Sequence, residues 1–495
     1  MLILEKIRPG SGFLQALLAG LFLFIGIGLI YCDLWGLGLG LILGVIGLFF
    51  IYWDVKKTVL FLIVLAPISR FPYLTEHLAV IKFILFSVVF IAWLIKKEFK
   101  IKDLLLSTPL TIIFAVFSLL ILINMSIASN FAYALPIVIT HFIGFSFFYV
   151  FIDLFHDEDF LKKAFNFMLI LGVLIGLLAC LQYFIVKYRI FLNIMSIFLP
   201  KSFDIGLQLQ PMYQFSQQGF RSIGTFFHAN MLGIYLSMIF PLNLVFLITA
   251  SKKWKKLFLT IGLILIVSGI FFSNSKGAAL NILISLTFII IVFRKKISKA
   301  WLFSVLGIFL VILFFYYNNF QTYYRISQGI SSRQIIWHNS VSLLIERPFW
   351  GCGLGNFFNE YVGRFGLISL KDFRIALASI VIDRNMSILQ SYTGHNVFLN
   401  YAVEMGIFGA GLIGYFYFLY LKLCFNCLKL RGIMNDFDFE ILVACTAMGM
   451  GNFAHSFFET ITNFYALSLS FPFIIMIAGG MWIVSKYKTR TLTDK

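Results

Sequence analysis

Apolar runs of about twenty residues, the length a helix needs to cross the hydrocarbon core of a bilayer, recur along nearly the whole chain. Short polar gaps part them, and lysines crowd every second gap. The runs predict spans near residues 13–31, 36–53, 57–69, 78–95, 108–127, 132–153, 164–186, 229–249, 257–273, 277–293, 301–317, 396–421, 441–453 and 462–485. Those at 57–69 and 441–453 are short enough to be re-entrant or interfacial, so 12–14 transmembrane helices are expected. The short apolar and polar alternation of a barrel strand is absent, which leaves helices as the structure that satisfies its own backbone in lipid. The fold class is therefore an all-α integral membrane protein whose pattern is broken by two long polar segments, 187–228 and 318–394. They divide the chain into N-terminal helices (1–186), a first polar segment (187–228), central helices (229–317), a large polar loop (318–394) and C-terminal helices with a short tail (395–495).

Composition agrees. Hydrophobic residues make up 61% of the chain and charged residues 12%, with a mean hydropathy of +0.95, too few polar groups to cover a water-soluble globule. Lys6 and Arg8 precede the first apolar run as in a signal sequence, but the run is long and no small-residue cleavage pattern follows, so a retained first span is expected. Of the six cysteines, only Cys424 and Cys427 have metal-like spacing; without a second pair they read as packing residues, and no metal site is expected.

A formal net charge of +18 would point to nucleic acid in a soluble protein; in a membrane chain its placement decides, and no nucleic-acid partner is expected. With the N-terminus in the cytoplasm, inner segments hold 25 of the 39 basic residues, so both termini are expected inside. The two sides also differ in kind. Inner cations are 21 Lys and 4 Arg, whereas outer cations are 9 Arg and 4 Lys. Orientation does not require that bias, and arginine's planar fork of donors suits phosphate and carboxylate, so the outer arginines point to an anionic ligand, against the plainer reading of pairs with lipid headgroups or local acids. Five of the seven histidines (His77, His228, His338, His395 and His455) also fall on the outer side or at outer span ends.

Within the large polar loop, Ser332 is placed to cap a helix with an apolar stripe of Ile336, Trp337, Val341, Leu344 and Ile345, ended by Pro348 and anchored in the headgroup region by the tryptophan. Gly351-Cys352-Gly353-Leu354-Gly355-Asn356 resembles a phosphate-binding loop but lacks a preceding strand; it reads as a tight turn whose backbone N–H groups could still assist an anion. His395-Asn396 stands where polar loop meets apolar span, open to an interfacial or a catalytic role. Glu404 follows inside the span, where an ionisable group is costly and usually functional or paired. Lys276 sits at the start of another span, free to snorkel or to add charge to an anionic site.

Arg221-x-x-Gly224-Thr225-Phe226 before a span, Ser275-Lys276-Gly277 opening a later one, Arg333-x-x-x-Trp337 followed by Pro348-x-x-Gly351-x-Gly353-x-Gly355, and His395-Asn396 with Glu404-x-Gly406 together resemble the O-antigen ligase and O-antigen polymerase superfamily of bacterial envelope enzymes. The resemblance covers about residues 220–410. It implies a multispanning glycosyltransferase of GT-C type in the inner membrane, acting on an undecaprenyl-diphosphate-linked glycan at the periplasmic face. The acceptor would be lipid A core for a ligase, with lipopolysaccharide as product, or another lipid-linked glycan for a polymerase. Arg221 and Arg333 would bind the diphosphate and His395 would be the base, with Arg325, Asn396 and Glu404 as possible support. Lys276 stands where many members have arginine and keeps the charge without the fork. Nothing in the outer segments offers a metal site of the Asp-x-Asp kind, so transfer without metal or cofactor is expected. The rival class, a transporter or flippase for an anionic lipid or solute, would want charged groups at mid-membrane and two related halves. The chain shows no internal repeat, and its ionisable residues gather at the outer rim.

Overall fold

A computed structural model describes residues 55–68, 75–97, 108–187, 213–216, 219–226, 228–297, 320–365, 394–459 and 467–493. The expected spans near 13–31, 36–53 and 301–317, most of the segment 187–228, and residues 366–393 lie outside the described residues. The chain divides into two units, Met1–Lys102 and Asp103–Lys495. In the first, α1 (Val55–Leu65) packs on α2 (Thr75–Lys96), and the buried Lys82 donates its Nζ to the Ala66 carbonyl at 2.8 Å.

The second unit runs α3 (Leu110–Ser126), α4 (Phe131–Leu154), α5 (Glu158–Lys187), a two-stranded antiparallel hairpin of β1 (Tyr213–Ser216) and β2 (Gly219–Ser222), α6 (Ala229–Thr249), α7 (Lys253–Ser273), α8 (Lys276–Phe293), α9 (Phe320–Glu346), α10 (Phe357–Phe365), α11 (Val397–Leu428), α12 (Asp436–His455) and α13 (Leu467–Thr493). Among the described residues, seven helices, α4 to α8 with α11 and α13, are long and apolar enough to cross a membrane. The protein is an all-α integral membrane protein; the small hairpin is a local addition.

Helix α6 is the centre. Its sequence is apolar on all sides, and all sides are covered, by α5, α7, α8 and α12. The expected short span at 441–453 proves to be part of α12, a helix of 20 residues. Its first turn carries Asp436 and Asp438, and Asn435 accepts from the Asp438 N–H. Acidic residues suit a helix N-terminus, yet they remove that turn from an apolar window.

The two ends of the bundle differ chemically. At one end Lys162 lies over Phe437, Lys255 over Phe246 and Arg431 over Phe439, while Lys486 bonds both Glu158 and Asp438. The opposite end holds the start of α6, α8 and α11 and the finish of α7 and α12. Arg221, Lys276, Arg333 and His395 lie there.

Helix α9 corrects the sequence expectation in three ways. It begins at Phe320, twelve residues before the expected cap Ser332. Its buried face is Ile336, Ser340 and Leu343, packed against Phe357 and Tyr361 of α10 and Val403 of α11, whereas Val341 and Ile345 point outward. Trp337, partly buried, turns inward as well, its Nε1 donating to the Gly394 carbonyl at 3.0 Å. A window of sequence shows that a stripe exists; which of two apolar faces is covered depends on the neighbours.

Candidate active site

Arg221 lies on β2, opposite Gln214 and one residue before the hairpin ends, and the chain after it is tied down. Ser222 Oγ donates to the Ala179 carbonyl at 2.8 Å, and Gly224 exchanges two bonds with the amide of Gln182, at 2.8 and 2.9 Å, so α5 holds the segment. The guanidinium reaches the end of α7: Nε donates to the Ser273 carbonyl at 2.8 Å, and Nη2 donates to Asn274 O at 3.3 Å and to Asn230 Oδ1 at 2.6 Å. A helix C-terminus presents unpaired carbonyls and a partial negative charge, which a cation satisfies. Asn274 caps that end in the left-handed conformation, φ 50°, and lets the chain turn directly into α8, whose first residue is the exposed Lys276.

His395 is fixed from both sides. Gly394 N–H donates to Asn400 Oδ1 at 3.1 Å and its carbonyl receives Trp337. Asn396 caps α11 by accepting from the Leu399 N–H at 3.0 Å, and the Val397 N–H donates to the Ser456 carbonyl at 2.7 Å. Between these anchors His395 adopts φ 45°, a conformation uncommon outside glycine, which the four contacts hold.

The residue that joins these parts is Glu459, just beyond α12 and almost fully buried. Its Oε1 lies 3.2 Å from His395 Nδ1, and its Oε2 accepts from Asn230 Nδ2 at 2.8 Å and lies 4.0 Å from Arg333 Nη2. Asn230 in turn accepts from Arg221. One continuous set of contacts therefore runs from Arg221 through Asn230 to Glu459, and from there to His395 and Arg333. Burial by itself would raise the Glu459 carboxyl, but the His395 charge and hydrogen bond and then Arg333 outweigh it and hold the group well below the usual carboxylate range. His228, whose Nδ1 caps α6 by accepting from the Asn230 N–H, is pulled down to about 4, first by lost hydration and then by Arg221.

Sequence reasoning missed Glu459. It sits among aromatic residues at the edge of an apolar run, and nothing within the run marks it; an acid at the outer rim of a chain with few acids was the available signal.

The structure thus brings together Arg221, Arg333 and His395, with Lys276 two residues beyond the Asn274 carbonyl that Arg221 holds. Asn396 caps a helix. Arg325 lies on α9 two turns before Arg333. Glu404 belongs elsewhere: its Oε1 accepts from the Phe357 N–H at 3.3 Å at the start of α10, and its carbonyl accepts from Gly353 and from Asn124 of α3. The glycine loop offers no open anion cradle either. Cys352 and Gly353 donate to the Val403 and Glu404 carbonyls at 2.9 Å each, and Leu354 donates to Asn124. These carbonyls are freed by a break in α11 at Gly406, φ 69°, and Ile407 restores the ladder by donating to the Pro348 carbonyl at 2.8 Å. The loop is a plug that repairs a broken helix.

Chemically, the arrangement offers an imidazole held by a buried carboxylate beside three cations. The N-termini of α6, α8 and α11, each a partial positive charge, meet at the same end. Arg333 and His395 are each about one quarter exposed, 26% and 27%, and so remain open to a ligand. Arg221 already uses Nε and Nη2 on the protein, which makes Arg333 the better candidate for a planar two-point grip.

Residues 261–414 match a family model described as O-antigen ligase. The match supports the O-antigen ligase and polymerase superfamily that the motifs resemble, and with it an enzyme of glycosyltransferase type that handles lipid-linked glycans in a membrane. A search of curated proteins finds no match.

Proposed function

We propose that this enzyme, of the O-antigen ligase and polymerase type, transfers a glycan from undecaprenyl diphosphate to an acceptor hydroxyl at the periplasmic face of the bacterial inner membrane. The observation that carries the reading is the His395–Glu459 pair set among Arg221, Arg333 and Lys276 at the lysine-poor end of the bundle.

A sugar on a lipid diphosphate is already activated, because diphosphate leaves readily once cations meet its charge. The acceptor oxygen attacks the anomeric carbon as the bond to the diphosphate breaks; the diphosphate departs with the electron pair, and the acceptor proton passes to His395. Since Glu459 engages Nδ1, the proton goes to Nε2. Arg333, with Arg221 and Lys276, holds the leaving group at headgroup depth while its isoprenoid tail stays in lipid. The energy is in the diphosphate linkage, so no nucleotide is required on a side of the membrane that has none, and we expect no metal requirement.

Between the two acceptors we favour lipid A core, a ligase. The test is a deletion strain complemented with wild type or His395→Ala. A lost ligase leaves polymer on the carrier and bare core, whereas a lost polymerase leaves core capped with single repeats. We expect His395→Ala to reproduce the deletion phenotype at normal protein level. Near-normal glycan from that variant would remove His395 as the base.

A further inference from the structure

Glu459 carries two sets of contacts on its two oxygens, and the division is informative. One oxygen faces the base; the other faces Asn230, which grips Arg221, and the more distant Arg333. A carboxylate against one ring nitrogen does two things: it selects the tautomer with the proton on that nitrogen, leaving the other lone pair outward, and it stabilises the imidazolium that forms on proton transfer. Glu459 is 3% exposed, so its charge acts with little screening by water. Asn230 cannot rotate freely, because its amide accepts from Arg221 and donates to Glu459 at once. The backbone of the same residue is capped by His228. Arg333, by contrast, stands beyond hydrogen-bond reach of Glu459 at 4.0 Å and can turn to an anion without disturbing the His395 contact.

We propose that Glu459 is a positioning residue for the transfer: it orients His395 so that Nε2 faces the acceptor, and through Asn230 it ties that orientation to the arginine side of the site. The inference rests on the reading of His395 as the base. Glu459 touches neither sugar nor diphosphate. When the acceptor proton reaches His395 Nε2, the proton on Nδ1 stays there, and the new positive charge lies against the Glu459 carboxylate.

The experiment uses the full-length protein. Transfer is followed in membranes that supply the native donor and acceptor, and donor-side binding is read separately with farnesyl diphosphate as a short-tailed probe. Glu459→Gln keeps the shape and removes the charge. Its turnover should fall roughly 100-fold, the scale of general-base assistance, while farnesyl diphosphate affinity stays within about threefold, a split a merely structural role would not give. The double variant His395→Ala with Glu459→Gln should be no slower than His395→Ala alone, because residues acting as one unit are not additive. Wild-type turnover in Glu459→Gln, or additive losses in the double variant, would overturn the proposal. Should Glu459→Gln fail to fold, Glu459→Asp carries the test: the charge is kept but withdrawn by one methylene, and turnover should fall at least about tenfold; a wild-type rate there also overturns it. The two readings fail separately. If His395→Ala retains transfer, the base assignment is wrong, whereas an inactive His395→Ala beside a fully active Glu459→Gln sinks only the role of Glu459.

Discussion

Arg221 and Arg333 look equivalent as letters but differ in what they hold. Arg221 braces the end of α7, whereas Arg333 makes one long contact with Glu459 and faces the open side. If Arg333 grips phosphate with two parallel donors, lysine cannot replace it. A hydrogen bond to a charged group is worth about 1.5–3 kcal/mol, so Arg333→Lys should lose roughly 10- to 150-fold in kcat/KM for the donor, nearly as much as Arg333→Ala. A fully active lysine variant in the membrane assay would refute the two-point grip. The titrating residues give a second expectation. His228 is stable in the folded protein only as the neutral ring, since its Nδ1 must accept a hydrogen bond; with its value lowered to about 4, the stability it contributes is full above about 6.5 and is lost as pH falls toward 4. Glu459, lowered as well, contributes stability that is present above its ordinary value of 4.5 and lost as pH falls further. Both signs agree. Thermal unfolding in detergent should be flat between about pH 7 and 8, drop from about 6.5 and steepen in acid, and His228→Asn should flatten the upper part of that drop.

At the scale of elements, the break in α11 matters most. Gly406 lies in a backbone region that L side chains rarely adopt, and a Cβ there would collide with the Phe349 carbonyl of the plugging loop. Strain alone costs about 1–3 kcal/mol. Gly406→Ala should therefore lower the melting temperature and cut transfer, because the loop that seats against α11 also packs α10 and α9 and so sets Arg333. An unchanged melting temperature would show that the loop yields easily. The match of Gly406 to a family motif signalled importance, but its partner could not be read from sequence: the plug enters from residues 348–353, more than fifty positions away.

For the whole molecule, the lysine-rich end and the arginine-bearing site stand at opposite ends of one bundle, as alternation of spans and an excess of lysine in inner segments require. The expected orientation puts α10 outside and the start of α7 inside. In a Cys32→Ser background, Arg364→Cys on α10 should react with a membrane-impermeant maleimide in intact spheroplasts, and Lys256→Cys on α7 only after permeabilisation; the reverse pattern would invert the protein. The native cysteines among the described residues are buried, and burial, followed by the nearby Glu404 and Glu360, holds the Cys352 thiol well above its ordinary value, so background labelling should be low.

By itself the sequence determined that the chain lives in lipid, that it is helical, which gaps carry the lysines, and which motif residues are candidates for chemistry. Each follows from local composition, because in a bilayer every span must satisfy its own backbone and cations are sorted by side. Tertiary structure decided what those residues are for. It separated Glu404, which joins a loop to a broken helix, from Glu459, which holds the candidate base, although both are lone acids near the ends of apolar runs. Only packing could make that distinction, since the character of a buried carboxylate is set by the groups brought against it, and here Asn230 arrives at 2.8 Å from α6, His395 at 3.2 Å from the turn before α11 and Arg333 at 4.0 Å from α9.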